Sequence, residues 1–183
     1  MTLLILGTLI FFGIHFVPST PLRTKMVESL GLAKYKILFS LASVVGLGLI
    51  IYGFGQASYI HLWSPLPWGK TLTMVTMPIA ILLLVAADMP NNIKRWVRHP
   101  MLIGLFLWGG THLLANGDLA STILFLSFAI FAVLDLMLVT MSGRGKQKKP
   151  VNVGWDVAVV VVGLSVYGLL FYFHGTITGV PLI

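Results

Sequence analysis

The chain has 183 residues, 57% of them hydrophobic and 9% charged, with a formal net charge of +7 and no cysteine. Soluble domains carry about 25% charged residues, so a water-soluble globular domain is excluded, as is a polar disordered chain. The missing thiols exclude disulfides, iron–sulfur clusters, thiolate-ligated haem and covalently attached c-type haem.

In chain order, six apolar stretches stand out, at residues 2–17, 37–56, 72–87, 101–115, 119–141 and 157–173. Each is long enough, or nearly so, to cross a ~30 Å hydrocarbon core as a helix. The expected fold is therefore all-α: one polytopic membrane helix bundle of about six transmembrane helices, with residues 1–183 as a single domain. Pro18, Pro21, Pro65, Pro67, Pro90, Pro100 and Pro150 fall at or outside the ends of these stretches, where helices stop or start. Asn116, Gly117 and Asp118 read as a tight turn whose Asp caps the next helix, making the fourth and fifth spans a hairpin. The first span has no Lys or Arg before Arg23 and no small-residue cleavage site after it, so it is expected to be retained.

Arg23, Lys25, Lys34 and Lys36 precede the second span; Lys94, Arg95 and Arg98 precede the fourth; Arg144, Lys146, Lys148 and Lys149 precede the sixth. These alternate loops hold 11 of the 12 cations, and only Lys70 lies on the other side. Under the positive-inside rule both termini are expected outside the cytoplasm. Trp63, Trp68, Trp96 and Trp155 sit at span ends, as interfacial aromatics do. The basic run at residues 142–150 reads as a topology signal or a lipid contact, so the expected partner is membrane lipid and not nucleic acid.

Ionisable groups inside spans are costly, which makes each a functional candidate. His15 lies late in the first span, with Phe11 and Phe12 one turn back on its face. It reads either as a buried imidazole bonded to a neighbouring helix or as an axial ligand to haem or another metal. His112 lies late in the fourth span, after Trp108, Gly109 and Gly110. Those small residues suit either a closely packed helix or a flat macrocycle. Asp135, near the inner end of the fifth span, is expected to pair with Arg98 or Arg23, and Asp88 and Asp156 to join that charge network. His99 and Arg98 flank Pro100 at a helix start, an arrangement suited to a carboxylate such as a haem propionate or the amino-acid part of S-adenosylmethionine. His174 ends the sixth span, and His61 reads as a surface residue.

Three segments carry a resemblance: Gly-Ile-His-Phe-Val-Pro-Ser from Gly13, Arg-His-Pro-Met-Leu-Ile-Gly from Arg98, and Thr-His-Leu-Leu-Ala-Asn-Gly-Asp-Leu-Ala from Thr111. With these the chain resembles, over nearly its whole length, the NnrU family of bacterial inner-membrane proteins. The resemblance implies a link to denitrification, through nitrite and nitric oxide reduction. Those proteins are similar to plant zeta-carotene isomerase, a membrane protein with non-covalent haem b, and this implies haem b here. On that basis the implied axial ligands are His15 and His112, with His99 as the alternative; Arg98, His99, Arg23, Gly109 and Trp108 are the implied cofactor-binding residues. The isomerase also uses a cysteine, which this chain lacks. The segment from Arg98 is similar to isoprenylcysteine carboxyl methyltransferases as well, but their paired glutamates are missing, since Glu28 is the only glutamate.

Helix rise adds a constraint. His15 lies about 20 Å from the outer end of an inward-running span, and His112 about 20 Å from the inner end of an outward-running one. In a ~30 Å core their levels differ by about 10 Å. Three readings follow: a haem-b protein with redox or isomerase-like chemistry, acting with denitrification enzymes or on a small apolar substrate; a non-catalytic assembly or transport factor for denitrification; and an S-adenosylmethionine-dependent methyltransferase. The cation asymmetry carries the first prediction. A reporter fused after Ile183 is expected to be active only if it folds in the periplasm, and activity of a cytoplasm-only reporter overturns the topology.

Overall fold

The computed structural model describes residues 1–143 and 149–182. Arg144, Lys146 and Lys148, counted above in the cation pattern, lie outside the described residues. The described residues form helices α1 Thr2–Phe16, α2 Leu22–Leu30, α3 Leu32–Gly55, α4 Gly69–Asp88, α5 Ile93–Trp96, α6 Pro100–Ala115, α7 Leu119–Met141, α8 Gly154–Tyr172 and α9 His174–Thr178. Among them α1 with its following 3-10 turn, α3, α4, α7 and α8 are long and apolar enough to cross a membrane, and α6 is a shorter apolar helix of 16 residues. The chain is thus a multi-pass membrane helix bundle.

The ends of α6 and α7 fall where the proline and the Asn-Gly-Asp turn place them. The Asp118 carboxylate accepts from the Ser121 amide at 2.9 Å and caps α7. Helix α3 begins five residues before the apolar stretch does, because Lys34 and Lys36 occupy its first two turns. Long cationic side chains tolerate that position by reaching toward water along the helix. Gly31, with φ 78°, separates α2 from α3.

Helices α1 and α3 form one antiparallel pair, α4 and α6 another, and α7 joins them by packing against both α1 and α6. Helix α8 lies against α4. Small residues make these approaches possible. A Cβ on Gly7 of α1 would stand 2.7 Å from the Ile50 amide nitrogen of α3, and one on Gly104 of α6 would stand 2.8 Å from the Ala80 carbonyl oxygen of α4. In lipid, where apolar side chains gain little by leaving the solvent, such close packing is what holds helices together.

Two polar devices complete the packing. Pro78 sits inside α4 and has no N–H for the carbonyl of Met74, one turn back. The Tyr167 hydroxyl of α8 donates to that carbonyl at 3.4 Å. At the cation-rich end Asn92 gives its main-chain N–H and its Nδ2 to the Asp156 carboxylate, both at 2.7 Å, and bonds both ways with the Val151 main chain at 3.0 Å. These bonds tie the loop after α4 to the start of α8. Among the described residues Asp156 therefore pairs with Asn92 and joins no charge network.

At the opposite end, the Leu62 and Trp63 amides both donate to the Gly117 carbonyl. Gly117 lies against the Trp63 carbonyl with no room for a side chain. The loop before α4 is thereby fastened to the α6–α7 turn.

Gly7→Ala should lower stability in detergent by about 1–3 kcal/mol, because the new methyl meets rigid helix backbone. Gly48→Ala, whose Cβ would meet nothing within 4 Å, should leave the melting temperature unchanged or slightly raised. Equal effects in thermal unfolding would refute this packing of α1 on α3.

Candidate functional site

His15 is held by α1 in an aromatic nest. Its ring centroid lies 4.1 Å from Phe11, 5.1 Å from Phe39 of α3 and 6.2 Å from Phe131 of α7. His112 of α6 lies 4.9 Å from Phe125 of α7 and 5.5 Å from Trp108. Both imidazoles are half-buried.

Each histidine bonds the carbonyl one turn back: His15 Nδ1 to Phe11 at 2.6 Å, and His112 Nδ1 to Trp108 at 2.8 Å. A carbonyl only accepts, so Nδ1 carries the proton and the Nε2 lone pair is left free. This tautomer and orientation are those a metal-ligating imidazole needs.

The two imidazoles are linked by ring contacts through Phe11, Phe128 and Trp108, with Phe128 at 5.9 Å from Phe11 and 5.1 Å from Trp108. They do not share a level. His112 packs on Phe125 and His15 meets Phe131, and these two residues lie six positions apart on α7. That is about 9 Å of helix rise, close to the offset expected from span lengths.

The other implied residues divide between the two ends. His99 caps the start of α6, and Arg98 beside it is exposed. His99 is thirteen residues from His112 along α6, about 20 Å of rise. Arg23 is exposed on α2, at the same cation-rich end. Trp108 fills the space between Phe125 and Phe128, at 5.1 Å from each. Gly109 is taken up by helix packing, since a Cβ there would stand 2.8 Å from the Phe125 carbonyl oxygen, whereas Gly110 faces open space. Glu28 is exposed on α2.

Asp135 departs from expectation. It is 8% exposed, and its Oδ1 has no hydrogen-bond partner. Among the described residues it forms no ion pair with Arg98 or Arg23, whose exposed side chains stay at the bundle end. An unsatisfied buried polar group costs about 1–3 kcal/mol. Asp135→Leu is therefore expected to raise the melting temperature in detergent. A lowered one would show that the carboxyl has a partner after all.

No curated protein and no solved structure matches it. The family model described as NnrU protein matches residues 3–182. With that match spanning nearly all of its length, the chain belongs to the NnrU family of membrane proteins.

Proposed function

We propose that this protein is a haem-b-binding protein of the bacterial inner membrane, serving nitrite or nitric oxide reduction in denitrification, with His112 as an axial ligand. The observation that supports the reading is the Nδ1–carbonyl bond of His112 to Trp108, which aims a free Nε2 from an apolar wall. His15 meets the same chemical requirement. The offset between their levels favours different roles for them over a shared iron.

The donor set fits the group. Haem needs only axial ligands from the chain, and imidazole suits a site without thiolates. Bound haem would supply one-electron chemistry and an iron able to take nitric oxide. The chain's own part is to orient the imidazole through the Trp108 carbonyl and to wall off water with Trp108 and Phe125. Arg98 stands fourteen residues before His112, about 21 Å of rise away. Lys70, in the first turn of α4 beside the end of α6, is the cation at the level of His112. The positive-inside rule puts that level toward the periplasm.

The test is a visible spectrum with pyridine haemochrome analysis of protein produced with ample haem. His112→Ala should lose most of the haem, while exposed His61→Ala should keep it. A colourless wild-type protein overturns the cofactor reading, and full haem retention in His112→Ala overturns the assignment of His112.

A further inference from the structure

A hydroxyl in a membrane helix is satisfied once it donates to the carbonyl one turn back. Thr73 of α4, 9% exposed, does this to Gly69 at 2.9 Å, and its hydroxyl also reaches the Thr111 carbonyl of α6 at 2.9 Å. Thr8, Ser43, Thr76, Thr111, Thr122 and Ser127 make only the first kind of bond. Among the described residues no other Ser or Thr hydroxyl reaches the main chain of a second helix. Satisfying the Thr73 hydroxyl takes one bond. The other is a tie between helices, and it falls on the residue before His112.

The place of that tie matters. His112 stands in the last turn of α6, which ends at Ala115. The last four carbonyls of a helix have no N–H partner within it, and such ends fray. Three of the four are met here: the Asn116 side chain donates to His112 at 2.8 Å, the Asn116 amide to Leu113 at 3.4 Å, and the Leu66 amide to Leu114 at 3.2 Å. The start of α4 presses on the same turn, since a Cβ on Gly69 would stand 2.4 Å from the Leu114 carbonyl oxygen. Gly69 against Leu114 and Thr73 against Thr111 are successive contacts of two antiparallel helices, and they bracket His112.

The bond from Nδ1 to the Trp108 carbonyl fixes the ring relative to its own helix. It does nothing to fix that turn of the helix in the bundle. An imidazole carried on a loose helix end would keep its tautomer and lose its aim. We infer that Thr73 is a positioning residue for His112: through the Thr111 carbonyl its hydroxyl holds the last turn of α6 and so directs the free Nε2. The inference rests on the haem reading above and adds to it the residue that aims the ligand.

The test compares Thr73→Val, which lacks the hydroxyl, with Thr73→Ser, which keeps it. The first readout is the electron paramagnetic resonance of the ferric haem-loaded protein, which depends on how the imidazole plane meets the haem. Thr73→Val should keep haem but show shifted or broadened g-values, with haem dissociating about two- to tenfold more readily, the worth of one hydrogen bond. Thr73→Ser should restore the wild-type spectrum. Thr76→Val, whose hydroxyl bonds only Leu72, should not alter it. A wild-type spectrum in Thr73→Val overturns the positioning role and leaves haem binding standing, whatever happens to the melting temperature. Should Thr73→Val not fold, Thr73→Ala carries the same comparison. If neither folds while Thr73→Ser does, the hydroxyl holds the fold and does not aim His112, and the inference falls. A haem-free wild type overturns the haem reading. The nitrogen resonances of the His112 imidazole in haem-free protein then decide the positioning: Thr73→Val should broaden or split them and leave those of His15 in place, and unchanged His112 resonances overturn it.

Discussion

Inside a hydrocarbon layer no water satisfies a side-chain donor, and each unsatisfied group costs several kcal/mol on the order of a lost hydrogen bond. This chain answers by returning its donors to the carbonyl one turn back. Thr8, Ser43, Thr73, Thr76, Thr111, Thr122 and Ser127 all do so through their hydroxyls. His15 and His112 do so through Nδ1. For a hydroxyl the arrangement uses its one proton and leaves only weak acceptor lone pairs. For an imidazole it spends one nitrogen and leaves the other as a lone-pair donor facing the bundle. The solvent that hides threonines thus turns histidines into potential ligands.

The same constraint explains what could be read in advance. Cations cannot stay in the core, so their spacing marked the loops. Asn116 to Asp118 marked a hairpin, because a turn leaving the layer needs small and capping residues. Helices α3 and α8 start at Leu32 and Gly154, ahead of the apolar stretches, because Lys34, Lys36 and Asp156 sit in opening turns where side chains still reach water or a partner. Neighbour choice was not legible. Gly46 and Gly53 share one face of α3 at a spacing of seven, yet nothing in the sequence says that α1 fills it. Pro78 leaves the Met74 carbonyl bare inside α4, and the group that meets it, Tyr167, stands 93 positions away on α8.

At the site, the sequence disclosed which residue types stand within the layer and, from helix rise, that His15 and His112 differ in level. It did not disclose that Gly109 belongs to the α6–α7 contact, because a packing glycine and a cofactor-facing glycine look alike until the neighbour is known. Nor did it disclose the partner of Asp156. Asn92 carries no charge, and a search for charge pairs passes over it, although two hydrogen bonds to one carboxylate are worth as much as many exposed ion pairs.

Helix α7 ties these observations together. Its Phe125 supports His112, its Phe131 meets His15, and its Phe128 touches both Phe11 and Trp108. Asp135 follows Phe128 by seven positions and so lies on the same face. A rotation of α7 to expose the buried Oδ1 of Asp135 would carry Phe128 out from between the two aromatic groups. Relief at Asp135 and the seating of both histidines therefore compete. Close packing resolves the competition: Gly109 brings α6 against the Phe125 carbonyl, and Asp118 caps the first turn. The orientation of α7 is set at its outer half, by backbone contact and capping, and the cost falls on its inner half, where Asp135 is buried.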